Sequence, residues 1–459
     1  MGSPRALLIL AWVAGFTLID SSIVSLALPD VAADFDRSVG ELAWVSTGFL
    51  LALAASLLAA GRLADRFSAR WVMVAGAAAF GITTFACGVA PSFELLVASR
   101  VAQGAAGGVL YTVSLAIAAT AYPPERRATA ISIYFTSGAF GAVIGPVIGG
   151  WLTDLGGWRL AFLAQLPIPV VLIVMTLAVL PRVVGPRQPF DFPGVVSAGV
   201  FVAATTYGML QLPIPGGTGT ALLSGAIAVA ALAVFVIAER RSESPAVRLS
   251  IFRNPRFVVA TVAGAGAWFA ILSSAVYVAL YLQLGRGFDA TQAGLILLAA
   301  PAVGLAFFPF AGPFVGRLGV DRSLLFGLLV LFVGSAAMVG WGADTDPLWL
   351  VLVMVIVGAG LSVTLVASAT DALSQFGPSE AGTGSAVFNS LRQIGAAFGV
   401  AGPAVAFELV ARGSRETEAA LAGSTAAFLL RAVVLAIPLL LVAARLARLP
   451  KATPPISRR

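Results

Sequence analysis

At 459 residues the chain is long enough for two or three water-soluble domains, yet 59% of it is hydrophobic and only 11% charged, against about 25% charged in soluble domains. So few polar residues cannot cover the surface of a folded body of this size, which excludes a soluble globular protein. The net charge of +7 comes with no basic patch interleaved with stacking aromatics, which argues against a nucleic-acid partner, and the lone Cys87 with no histidine excludes an intramolecular disulfide and a cysteine-based metal site.

Apolar segments long enough for a hydrocarbon core, about 20 residues each, follow one another along the chain. The first, 6–28, is too long for a signal-peptide core and is interrupted by Asp20, so it reads as a retained helix. After it come 41–61, 71–90, 93–120, 128–152, 159–180 and 193–212, then 219–238, 257–282, 292–316, 323–341, 348–372, 382–407 and 425–447, fourteen predicted spans in all. They lack the alternation of barrel strands, and lipid-exposed backbone must satisfy its own hydrogen bonds, so the expected class is an all-helical integral membrane protein.

The arginines give an expected orientation. With the N-terminus in the cytoplasm, Arg62, Arg66 and Arg70, Arg126 and Arg127, the group from Arg240 to Arg256, Arg317 and Arg322, and the tail from Arg445 to Arg459 all face inward. Only Arg37, Arg159, Arg286, Arg412 and Arg415 then lie outside. Both termini are expected inside a cytoplasmic membrane.

The chain also repeats. Phe140-Gly141-Ala142-Val143-Ile144-Gly145-Pro146 is echoed by Phe398-Gly399-Val400-Ala401-Gly402-Pro403, and Gly61-Arg62-Leu63 by Gly316-Arg317-Leu318, each pair eight spans apart. This predicts two related six-helix bundles, 1–182 and 246–459, separated by a two-helix insert, 183–245. From Phe192 to Ala238 there is no charged residue, so the insert is expected to be peripheral and lipid-facing.

Four strings then resemble the major facilitator superfamily and, within it, the fourteen-helix drug:proton antiporters. They are Ile19-Asp20 through Pro29; Gly61-Arg62-Leu63-Ala64-Asp65-Arg66 through Arg70, with Ser68 and Ala69 departing from the pattern; Arg100-Val101-Ala102-Gln103-Gly104; and Gly138 to Gly150 in the fifth span. Trp158-Arg159 with Pro167, and Leu391-Arg392-Gln393 with Gly395, add to the likeness. The resemblance implies a monomeric, cofactor-free transporter rather than an enzyme, with membrane lipid around it. It would be driven by the proton gradient and would export small lipophilic or cationic organic compounds by alternating access. It also marks Gly138, Gly141, Gly145, Pro146, Gly149 and Gly150 as an antiporter motif.

The residues themselves support specific roles. An ionised carboxylate in mid-helix costs about 2.5–3.5 kcal/mol on insertion scales, and desolvation favours its neutral form, so Asp20 is a candidate proton carrier. Arg100, at similar depth with Gln103 one turn on, is its natural partner in a cavity; the alternative is a static pair that joins two helices. Asp65, with Gly61, Arg62, Arg66 and Arg70, suits a gating latch that holds a neighbouring helix N-terminus, the alternative being plain membrane anchoring. The fifth-span glycines allow close helix approach, and Pro146 can bend that helix. Asn389, Arg392 and Gln393 form a polar site in the second bundle, whereas Asp371 and Glu408 sit near span ends and read as boundary residues. Gly104 to Gly108 lacks the strand-turn-helix setting of a phosphate loop, so an ion or substrate gradient must supply the energy. A metabolite transporter of the same fold and a membrane sensor are the other readings; no appended soluble domain supports the sensor.

Overall fold

The computed structural model describes Asp20 and residues 30–447, apart from 32, 37–38, 121, 181–190, 213, 215, 243–244, 246 and 412–415. Among the described residues there are helices and no strands. The first half comprises α1 (Val39–Arg66), α2 (Ala69–Gly88), α3 (Phe93–Thr120), α4 (Pro124–Leu163) and α5 (Pro167–Val179). A hairpin follows, α6 (Phe192–Gln211) and α7 (Thr218–Arg241). The second half comprises α8 (Pro255–Ser273), α9 (Ala290–Leu318), α10 (Val320–Ala337), α11 (Pro347–Leu373), α12 (Ala381–Ala411) and α13 (Glu416–Ala447). Two π-helical turns, Ser274–Val278 and Tyr281–Gly285, extend α8.

Chain signals set several helix starts. Asp191 accepts from the Gly194 N–H at the head of α6, Asn254 caps α8, Asp289 and Gln292 form a capping box on α9, and Asp346 caps α11. Pro301, Pro309 and Pro313 lie inside α9, where neighbouring helices can re-satisfy the backbone. Leucine, valine and phenylalanine side chains face outward along the helices, as expected where the solvent is lipid.

Twelve helical stretches among the described residues are long and apolar enough to cross a membrane, against the fourteen expected. The expected span 6–28 lies outside the described residues except for Asp20. The expected span 382–407 does form a helix, α12, but it is not among the twelve. Thr383, Ser385, Asn389, Arg392 and Gln393 fall within its first half and dilute its apolar character.

α4 comprises two helical stretches joined where Gly156 and Gly157 leave helical geometry, and two separate apolar spans, Pro124–Gly149 and Trp151–Val179, cover this part of the chain. Gly157 has φ 73°, a conformation open to glycine at little cost. The 192–238 hairpin is not wholly peripheral. α7 does present Leu222, Leu223 and Val229 outward, but α6 packs against both α1 and α12. The contact is close because position 199 is glycine: a Cβ there would lie 2.6 Å from the Ala55 carbonyl oxygen. An uncharged helix can serve an interhelical seam through small residues as readily as it can face lipid.

The two halves meet along α1 with α12 and α4 with α9, with α3 also touching α12. At the end where α1 finishes and α12 begins, the approach is tight. A side chain at Gly61 would collide with the Gly382 carbonyl, and one at Gly312 would lie 2.5 Å from the Thr129 Cα.

Candidate functional site

Three polar clusters lie along α3 and α12.

The first joins Asp20 to α3. Asp20 and Arg100 are almost completely buried, and Arg100 Nη1 donates to Asp20 Oδ2 at 2.9 Å. Gln103, one turn along α3, donates from Nε2 to Asp20 Oδ1 at 3.2 Å and to Thr84 Oγ1 at 2.8 Å, and accepts from Arg100 at 2.5 Å. Arg100 Nε donates to the Val45 carbonyl at 3.1 Å, and its guanidinium lies 4.2 Å from the Phe49 ring centroid. The expected pair is therefore present, with both carboxylate oxygens engaged. A proton on Asp20 would remove the ion pair and leave Arg100 on Val45, Gln103 and the Phe49 face.

The second cluster closes one end of the molecule. Asp65, near the end of α1, accepts from the backbone N–H of Gly382 at 2.8 Å, the N–H of Thr383 at 2.8 Å and the Thr383 hydroxyl at 2.7 Å. An anionic side chain from one half thus caps the first turn of a helix in the other, where unpaired N–H groups and the helix dipole favour negative charge. Ser385 donates to the Thr112 carbonyl at 2.8 Å beside it. Arg62 and Arg66 flank Asp65 on α1, and Arg70 reaches the Leu180 carbonyl at 2.9 Å.

The third cluster surrounds Arg392 on α12. Arg392 is 2% exposed. It donates to Asn389 Oδ1 at 2.9 Å and to the Tyr111 hydroxyl on α3 at 3.2 Å, and lies 4.8 Å from the Trp268 ring and 5.2 Å from those of Phe135 and Phe388. Tyr111 and Phe135 come from the first half; Trp268, Phe388 and Asn389 come from the second. The sequence marked Asn389 and Arg392 but not their aromatic surround, because nothing in a linear string aligns α3, α4, α8 and α12. Gln393 is half-buried and has no polar partner recorded beside this cluster.

Elsewhere, Arg445 on α13 bridges Asp371 (2.6 Å) and Asp321, tying α11, α10 and α13 together. Asp371 is thus a buried, paired residue rather than a water-reaching boundary acid; the Glu408 side chain is outside the described residues. Arg431, fully buried on α13, donates to the Ser274 hydroxyl beside the π turn and to the Met338 sulfur. At the opposite end from Asp65, exposed Asp34 pairs with Arg159 and accepts from Trp158 at 3.1 Å. Those partners hold its carboxyl below the ordinary carboxylate range. In α4, Gly138, Gly141, Gly145 and Gly149 are buried and Gly150 continues the helix; of the Pro146 side chain nothing is described.

A family model described as Major Facilitator Superfamily matches residues 10–400. The chain is 30% identical to the multidrug resistance protein Stp of Mycobacterium tuberculosis over 83% of its length and 72% of that protein. It is 31% identical to the tetracenomycin C resistance and export protein of Streptomyces glaucescens, with the same coverages. Among solved structures, the human organic anion transporter MFSD10 (TETRAN) superposes with a TM-score of 0.67 at 18% identity, covering 96% of this chain and all of that one, which speaks to the fold.

Proposed function

This chain belongs to the Major Facilitator Superfamily, and from that premise we propose that it is a proton-coupled antiporter that exports small organic compounds across the cytoplasmic membrane by alternating access. Relatives named for multidrug resistance and for antibiotic export, each about 30% identical, support export. The observation that carries the coupling is the buried Asp20–Arg100–Gln103 cluster. It is an acid and a base held in a low-dielectric interior, with no histidine anywhere in the chain to take the proton instead.

On this reading Asp20 gains a proton from one side and loses it to the other, and Arg100 changes partners as it does so. Asp65 stabilises the conformation closed at its own end. With the N-terminus inside, as the arginine distribution favours, that end is cytoplasmic and the conformation faces outward. The fourteen-helix plan is part of the proposal, with 6–28 and α12 completing the twelve apolar spans. No cofactor is required, because the proton gradient supplies the energy.

The test is uphill efflux from vesicles with an imposed pH gradient, normalised to protein in the membrane. Asp20→Asn keeps size and hydrogen bonding but cannot exchange a proton, so it should abolish uphill efflux while leaving downhill substrate exchange. Full uphill efflux by the variant would remove Asp20 as the carrier.

A further inference from the structure

We propose that the Arg392 cluster is a recognition site for an anionic group on the exported compound, a carboxylate or an ionised phenol or enol attached to an aromatic or polycyclic body. The proposal rests on the export reading and narrows it, replacing the lipophilic or cationic substrates expected from the sequence with acidic ones.

Four observations lead there. Arg392 is buried, always charged, and has no acidic partner among the described residues. Its contacts with Asn389 and Tyr111 are to neutral groups, and its Nε has no acceptor from the protein. The indole N–H of Trp268, whose ring lies 4.8 Å from the guanidinium, is also buried without an acceptor. Both groups only donate, so what completes them must accept, and an oxyanion does so: a carboxylate with its two oxygens, a phenolate or enolate with the lone pairs of its one. The aromatic rings of Phe135, Trp268 and Phe388 around the guanidinium offer flat surface to a ring system carrying that oxyanion.

Position supports the same occupant. Arg392 is eleven residues from Ala381 at the head of α12, about 16 Å along the helix axis, which is close to the middle of a roughly 30 Å core. It contacts both halves of the molecule, the place where alternating-access proteins hold substrate. Arg431 is also buried without an acid, but its partners Ser274 and Met338 belong to its own half. Arg100 already has Asp20. Of the three fully buried arginines among the described residues, only Arg392 combines a charge unmatched by an acid with walls from both halves.

The experiment uses the full chain in detergent and three probes sharing one ring system: 2-naphthoate, neutral 2-naphthamide and cationic 2-naphthylmethylamine. Binding is read by calorimetry and by the shift in melting temperature. Wild type should favour naphthoate over the other two by about ten- to hundredfold, the worth of a charge-assisted hydrogen bond. Arg392→Gln should erase the preference, Arg392→Lys should keep part of it, and Trp268→Phe, which retains the ring and removes the N–H, should weaken naphthoate alone. Size-exclusion profiles identify any variant that fails to fold, and Trp268→Phe then carries the test. Equal binding of all three probes, a preference that survives Arg392→Gln, or displacement of naphthoate by chloride or phosphate at equal concentration would overturn the proposal. Charge-selective binding without uphill efflux would instead sink the export reading and leave the anion site standing. Efflux that ignores substrate charge would do the reverse.

Discussion

Among the described residues, the two halves of this protein treat their fully buried arginines in opposite ways. In the first half Arg100 meets Asp20, and the cluster is electrically neutral. In the second half Arg392 and Arg431 meet hydroxyl, amide, sulfur and aromatic groups but no carboxylate. A buried pair satisfies itself, and its interest lies in whether a proton can break it. A buried cation without an acid is under-satisfied at rest, and its interest lies in what arrives to complete it. On the proposed reading, the proton belongs to one half and the substrate's charge to the other. α3 links them: Arg100 and Tyr111 are eleven residues apart on it, about 16 Å along the axis.

The comparison breaks if the same substitution behaves alike in both halves. Arg100→Met leaves Asp20 buried without its counter-charge and should destabilise the protein by about 3–5 kcal/mol, the range for breaking a buried pair. Arg431→Met removes a desolvated charge with only two neutral partners. It should leave the melting temperature unchanged or raise it, since replacing buried charge by packed apolar volume is often stabilising. Equal losses would mean that Arg431 is structurally paired after all, or that Arg100 is dispensable.

Asp65→Asn tests whether the halves are latched as well as divided. Asparagine can still cap a helix, but it offers one acceptor oxygen where Asp65 uses two and it removes the charge at the head of α12. The closed state should lose about 1–2 kcal/mol, within the range for a lost cap. A cysteine at Ser385, buried beside Thr112, should then label faster with a thiol reagent in a Cys87→Ala background. An unchanged labelling rate would reduce Asp65 to an anchor.

The smallest effect is expected at the opposite end. Asp34 and Arg159 are both exposed, and exposed pairs contribute little. Their sign is still defined. The lowered Asp34 carboxyl contributes stability above the ordinary carboxylate range and loses it as pH falls through its folded value. Asp34→Asn should leave neutral-pH melting almost unaltered and reduce only the acid-side slope. A large loss at pH 7 would make this pair a second latch.

Much of this was legible in the linear sequence because a bilayer makes demands that composition must meet. Apolar runs of fixed length required helices, and Asp20, Arg100 and Asp65 stood out because charge among apolar residues is costly unless it serves a purpose. Depth, at one rise per residue, put Asp20 and Arg100 in one layer and made them candidate partners; their contact came from the structure. Lateral arrangement was a different matter. Nothing in the string 192–238 shows that α6 lies between α1 and α12, since small residues suit lipid and helix seams equally. The sequence placed Asp371 at an interface, yet Arg445 reaches it from α13 and joins it to Asp321 on α10. The aromatic surround of Arg392 comes from α3, α4, α8 and α12, more than a hundred residues apart in places. Hydropathy fixes where a residue sits along the membrane normal, because that coordinate is read one residue at a time. Which residues face one another within the membrane plane is decided by packing among helices, and only the tertiary structure supplies it.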